Sequence, residues 1–271
     1  MSDSSSLLAD AARRLAAAGV DNPRLDARVL LEHAKGDNRL FESFVSRRTL
    51  REPLAYITGH KEFWSLDFVV SPDTLIPRPE TEIIVEQVLG IFPDRGASIA
   101  LLDLGTGTGC LLIAVLKEFP NAHGSGIDLS EKTCAVALQN AACHGLGERC
   151  DIRVGDWTRS VAGPFDVILS NPPYIRTADL ADLEPEVALY EPIMALDGGP
   201  DGLAAYRALA PELVRLLRPG GHALVEIGAG QSGEVAALMV HAGLETMRIA
   251  PDLAGIPRVL VMQHDRSVAV K

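Results

Sequence analysis

Ile99-Ala100-Leu101-Leu102 followed by Asp103-Leu104-Gly105-Thr106-Gly107-Thr108-Gly109 is an apolar strand running into a glycine loop, and the loop opens a helix over 110–119. Glycines at such a turn let the backbone bend tightly and come close to a ligand. The same grammar recurs along the rest of the chain. Short apolar runs at 124–127, 152–154, 167–169, 223–227 and 259–261 are separated by helical stretches. That alternation is the signature of a parallel, doubly wound sheet, so the expected fold class is α/β with a Rossmann-like domain.

Upstream of this region the period is helical. Helices are expected over 9–18, ending at Gly19, and over 23–34, closed by Gly36, with further helical turns through Phe41 and Leu54. The alternation from Trp64 to Val70 predicts one strand of a small hairpin whose return lies near Leu75, stopped by Pro77 and Pro79. An amphipathic helix then resumes over 80–92. The expected division is a small all-helical domain at 1–75, with a hairpin linker at about 60–76, and a Rossmann-like domain at 77–271.

Composition narrows the class. The 271 residues are 47% hydrophobic, with 24 Gly and 17 Pro, as in an enzyme-sized globular protein. No stretch approaches the roughly 20 apolar residues of a membrane span, and the Ser-rich, acidic start lacks a basic region followed by an apolar one, so a cytoplasmic location is expected. Four cysteines without Cys-x-x-Cys spacing are read as reduced and packed as small hydrophobes. No metal site is expected, and the seven histidines are read as structural or solvent-exposed. A net charge of −11 argues against nucleic acid as the main partner. The two short basic clusters, Arg13-Arg14 and Arg47-Arg48 with Arg51, are read as solvated helix faces.

Three further segments point at chemistry. The glycines are spaced Gly-x-Gly-x-Gly, which departs from the dinucleotide fingerprint. Asp128 closes the next strand, where a carboxylate can receive two ribose hydroxyls. Gly155-Asp156-Trp157 after the third strand supplies a carboxylate suited to an adenine amino group and an indole to pack on a ring. Asn171-Pro172-Pro173-Tyr174 follows the run 165–170, at the carboxyl end of a buried strand, where open α/β sheets bind ligands. An Asn side-chain carbonyl and a Pro backbone carbonyl can together accept both N–H bonds of a planar NH2 group.

Taken in order, these segments resemble a class I S-adenosylmethionine-dependent methyltransferase acting on a planar nitrogen. Tyr56-Ile57-Thr58-Gly59 with Glu62-Phe63-Trp64, Ile76-Pro77-Arg78-Pro79-Glu80-Thr81-Glu82, Glu191-Pro192 through Asp201-Gly202-Leu203, and Asp252-Leu253-Ala254-Gly255 narrow the resemblance. It is to the protein-(glutamine-N5) methyltransferases that modify peptide chain release factors, the PrmC/HemK family.

The resemblance implies methyl transfer from S-adenosyl-L-methionine, leaving S-adenosyl-L-homocysteine, to the glutamine of a release factor's Gly-Gly-Gln loop. It implies cofactor contacts from Asp103, Gly105, Thr106, Gly107, Gly109, Asp128, Asp156, Trp157 and Asn171. Substrate contacts fall to Asn171, Pro172, Pro173, Tyr174 and Arg78, with Asn171, Pro172 and Tyr174 catalytic and the helical domain recognising the substrate. Arg78 either overlies the cleft or pairs with Glu80 or Glu82, and 191–203 is either a flap or a crossover loop. A late antiparallel strand is implied at 259–262. A ribosomal protein glutamine, an adenine N6 of DNA or RNA, and a non-catalytic cofactor-binding module are the alternatives.

Overall fold

The computed structural model describes residues 2–157 and 161–264; the far ends of the expected division, residue 1 and residues 265–271, lie outside them. Helices α1 (Ser2–Ala17), α2 (Pro23–His33), α3 (Asn38–Thr49) and α4 (Leu54–Thr58) come first. Pro23 starts α2 at a position where its missing N–H costs nothing, and the Asp37 carboxylate caps α3 by accepting from the N–H groups of Arg39 and Leu40. Their apolar faces meet in a cluster that includes Leu15, Leu30, Phe41 and Val45, all fully buried.

The hairpin lies earlier than the sequence suggests. Strands β1 (His60–Phe63) and β2 (Leu66–Val69) pair antiparallel, and the chain reverses at Trp64-Ser65, inside the expected strand. Both turn residues have positive φ, 53° and 57°, the conformation that a two-residue hairpin turn requires. Neither is Gly, Asn or Asp, so composition hides the turn. Glu82 accepts from the Trp64 N–H and Glu62 from the Ser65 N–H, which supports the strained pair. Residues 71–78, expected to hold the return strand, are irregular.

Helix α5 (Glu82–Ile91) leads into a seven-stranded sheet built from β3 (Ala100–Leu104), β4 (His123–Asp128), β5 (Cys150–Val154), β6 (Phe165–Ser170), β7 (Leu217–Glu226), β8 (Leu244–Pro251) and β9 (Pro257–His264). Helices α6 (Cys110–Glu118), α7 (Glu131–Cys143), α8 (Pro185–Tyr190), α9 (Ala204–Leu216) and α10 (Ser232–Ala242) complete the chain. The strand order is β5-β4-β3-β6-β7-β9-β8. The first five are mutually parallel, and β9 enters antiparallel between β7 and β8. Strand β6 is buried at all six positions, as a central parallel strand must be.

Strand β8 has no counterpart among the expected strands. It is an edge strand whose Glu245, Thr246 and Arg248 give it a polar composition, as edges that must not aggregate commonly have.

Two other expectations are corrected. Arg48 and Arg51 are not a solvated face: Arg48 is 7% exposed and pairs with Asp26 at 2.8 Å and Glu186 at 2.8 Å, while Arg51 pairs with Glu186 at 2.5 Å and Glu184 at 3.2 Å. The cluster is basic because it faces Asp26 of α2 and the acids Glu184 and Glu186 at the start of α8. Of the cysteines, which are all free, Cys143 is exposed and not packed in the interior. No described helix is long and apolar enough to cross a membrane, and no group of three or more metal-ligating side chains occurs among the described residues.

Candidate active site

The sheet order reverses between β3 and β6, and both strands end at the same edge, where a cavity of about 420 Å3 opens. Small-molecule sites run to about 300–1,000 Å3, and this location is the switch point at which doubly wound sheets bind ligands.

The glycine loop forms one wall. Gly105 and Thr106 each donate a backbone hydrogen bond to the Ile127 carbonyl, at 2.9 and 3.0 Å, which pins the loop to the end of β4. Gly105, Gly107 and Gly109 have φ of 79°, 56° and 78°, a left-handed conformation that other residues adopt at a cost. A Cβ on Gly105 would stand 3.6 Å from the Trp157 indole, so the bare glycine is what keeps the gap between loop and ring open. Gly109 caps α6 away from the cavity, packed on Ile113 and Ala137.

Asp128 lies on the same wall. Its carboxylate accepts from the Gly107 N–H at 3.1 Å and the Ser130 N–H at 3.1 Å. Burial raises its pKa against these bonds, and lone pairs remain on both oxygens for further donors. Asp103 sits beneath the loop at 1% exposure, with one oxygen accepting from the Thr106 hydroxyl at 2.7 Å. Its other oxygen, like the Thr108 hydroxyl, is buried without a hydrogen-bond partner.

Asn171 and Pro173 close the opposite wall. The Asn171 Nδ2 donates to the Thr81 hydroxyl at 3.1 Å, that hydroxyl donates to Glu226 at 2.6 Å, and the Tyr174 hydroxyl donates to the other oxygen of Glu226 at 3.2 Å. Tyr174 stands behind the wall and packs on the core formed with Tyr206 and Leu203. Arg78 does line the cavity, and its partner is neither Glu80 nor Glu82 but Glu191, whose second oxygen accepts from the Ile76 N–H at 3.0 Å. Residues 192–195 line the cavity as well, which makes the segment after Glu191 a cover as well as a crossover.

Of the site residues expected from sequence, Gly105, Thr106, Gly107, Asp128, Trp157, Asn171, Pro173 and Arg78 therefore share one cavity. Asp103, Gly109, Asp156, Pro172 and Tyr174 are not on its lining. Thr81, Glu191 and Glu226 were missed. The first two lie in segments already singled out, and Glu226 carries its own signal, a carboxylate inside the apolar run 223–227.

A glycine loop at the end of the first strand of a doubly wound sheet, an acid ending the second, and an amide-bearing turn across the cavity define a class I methyltransferase. Residues 96–242 match the family described as a methyltransferase domain, and residues 6–40 match the PrmC N-terminal domain. A relative from Rhodospirillum rubrum named release factor glutamine methyltransferase is 47% identical over 95% of this chain and 84% of its own length. Another of the same name from Caulobacter vibrioides is 46% identical over 92% of each chain. The chain belongs to the release factor glutamine methyltransferase family. A solved methyltransferase from Pyrococcus furiosus shares the fold, with a TM-score of 0.54 at 19% identity over 76% of this chain and 92% of its own.

Proposed function

We propose that this chain transfers a methyl group from S-adenosylmethionine to the side-chain amide nitrogen, N5, of the glutamine in the Gly-Gly-Gln loop of peptide chain release factors, acting in the cytoplasm. The observation that carries the reading is the Asn171 amide. Its NH2 donates one hydrogen to Thr81, which turns the nitrogen to that side and leaves Oδ1 as an acceptor on a cavity wall that faces the glycine loop.

The residues fit the cofactor. Asp128 retains acceptor capacity for ribose hydroxyls and lines the cavity as an acidic group beside a site for a cation, and Trp157 offers an aromatic face beside Gly105. Bound there, S-adenosylmethionine supplies an electrophilic methyl group on a cationic sulfur. The remaining work is done by position. An amide nitrogen is a poor nucleophile, because its lone pair is delocalised into the carbonyl and no side chain is basic enough to deprotonate it. Asn171 Oδ1 takes one N–H bond of the glutamine amide and the backbone carbonyl of Pro172, whose ring lies off the cavity lining, takes the other, so that the lone pair is aimed. Orientation of this kind supplies up to about 7–11 kcal/mol in favourable systems.

The helical unit at 1–75 recognises the release factor, and 77–271 carries the transfer. Arg78, tied to Glu191, supports the cover at 192–195. The test is incubation with labelled cofactor and a release factor, its Gln→Ala version, or DNA. Label on the intact release factor alone is expected. Label on DNA, or on the release factor whatever stands at that glutamine, overturns the reading.

A further inference from the structure

An asparagine amide has two unlike ends: the oxygen accepts and the nitrogen donates. A rotation of half a turn about its last bond exchanges them with little change of shape. Asn171 can receive a substrate NH2 only with Oδ1 toward the cavity, and among the described residues its side-chain hydrogen bond is to Thr81, from another segment of the chain. We propose that Thr81 and Glu226 are positioning residues that select it, by forming a hydrogen-bond chain of fixed polarity behind Asn171.

This rests on the role given to Asn171 above. Glu226 ends β7 at 2% exposure and receives two hydroxyls, Thr81 at 2.6 Å and Tyr174 at 3.2 Å. A carboxylate is acceptor-only. Each hydroxyl therefore spends its single hydrogen on Glu226, and the Thr81 oxygen has only lone pairs left to offer. Those lone pairs take the Asn171 Nδ2 hydrogen at 3.1 Å. With the amide flipped, Oδ1 would face an oxygen that has no hydrogen to give, two acceptors in contact in a buried place. Burial raises the Glu226 pKa, with nearby Glu80 adding to it, against the Thr81 and Tyr174 hydroxyls and the nearby Arg258, which favour the charged form that this polarity requires. The arrangement also explains a spacing in the sequence. Thr81 comes from the 3-10 turn Pro79–Thr81, ahead of α5, and Glu226 from the far end of β7; they meet only because α5 packs across the sheet.

The chain is tested by measuring turnover and KM for methyl transfer to a release factor, and cofactor affinity by calorimetry, in Thr81→Val, Thr81→Ser, Glu226→Gln, Asn171→Ala and the Thr81→Val/Asn171→Ala pair. Thr81→Val keeps the shape and removes the hydroxyl. It is expected to lower kcat about tenfold, the loss of one hydrogen bond of ordinary strength, with KM and cofactor affinity unchanged. Thr81→Ser should restore kcat. Glu226→Gln brings an NH2 that can donate to Thr81 and reverse the chain, so it should lower kcat as Thr81→Val does; being nearly isosteric, it decides the matter if Thr81→Val fails to fold. In the Asn171→Ala background, Thr81→Val should cost nothing more.

Full kcat in Thr81→Val, failure of Thr81→Ser to restore it, or a loss that adds to that of Asn171→Ala would each overturn the proposal. Wild-type turnover in Asn171→Ala would instead strike down the role of Asn171, and the proposal with it.

Discussion

Asp103 carries a cost that the fold tolerates for the sake of the site. The carboxyl is sealed under the glycine loop, where burial, aided by the nearby Asp128 charge and opposed by the Thr106 hydroxyl, pushes its pKa up to about 7. A folded-state value above the unfolded one means that the native protein binds the proton more tightly, so stability falls as pH rises from about 4 to about 7 and is flat beyond. Asp103→Asn should remove that fall. The Tm difference between variant and wild type, absent near pH 4, is expected to grow in the variant's favour up to pH 7. Thermal scans across that range check it, and parallel curves would contradict it.

Asp128 has a different role: its bonds to Gly107 and Ser130 hold the loop, and its free lone pairs face the cavity. Asp128→Ala should weaken S-adenosylmethionine binding by about 1.5–3 kcal/mol, the loss of a hydrogen bond to a charged group, as read by calorimetry. Asn171→Ala should leave that affinity nearly intact while turnover drops steeply, the pattern of a contact that acts on the transfer step. These residues were legible in sequence because each ends a strand, and a strand end is visible as an apolar run stopping. Thr81 and Glu226 were not assigned a role, since their partnership depends on packing between segments 145 residues apart.

At the scale of elements, one buried amide ties the hairpin to the sheet domain beside the apolar packing of Phe63 and Phe68 in the shared core. Asn140, at 0% exposure on α7, accepts from the Val69 N–H at 2.8 Å and donates to the Val69 carbonyl at 3.0 Å and to the Thr108 carbonyl at 2.9 Å. One side chain thus joins β2, α7 and the glycine loop. Asn140→Ala strands three backbone groups and should destabilise the protein by about 2–4 kcal/mol, several times the worth of a surface contact. Denaturant unfolding measures it; a loss below 1 kcal/mol would mean that water replaces the amide.

This docking explains why the hairpin register escaped the sequence. Its turn is stabilised by Glu62 of the hairpin and by Glu82, and its edge by Asn140, the last two far along the chain. The central strands β3 and β6 were legible because they are buried on both faces and read as apolar runs, whereas the edge strand β5 alternates buried and exposed positions. Strand β8 was not legible, because an edge strand with one wet face lacks that run.

For the whole molecule, the question is what holds the cover over the cavity. Helix α8 lies in the chain between Asn171 and the covering segment 192–195, and it is held to the helical N-terminal region by ion pairs, a hydrogen bond and the packing of Tyr190 on Tyr56. Glu186 receives Arg48 and Arg51, and the Tyr190 hydroxyl donates to the Leu50 carbonyl at 2.8 Å. Against the burial that would raise it, the bonds from Arg51 and Arg48 hold the Glu186 carboxyl below its ordinary value of 4.5. A depressed folded value means that the stabilisation is complete above the ordinary carboxylate range and is lost as pH falls through the folded value.

Glu186→Ala leaves Arg48 with Asp26 but releases α8, and should cost about 1–3 kcal/mol at neutral pH, less than a fully buried pair because Glu186 retains some contact with water. The loss should appear locally. Proteolysis should open the chain within 184–195 before the sheet domain unfolds, and cofactor affinity should fall, since 192–195 lines the cavity. Asp179→Ala is the control: its pair with Arg176 lies in the same connection but is exposed on both sides, where an ion pair is worth little. If Glu186→Ala loses stability without the local cut or the weaker cofactor binding, the ion pairs support the fold alone and the cover is held by its own packing.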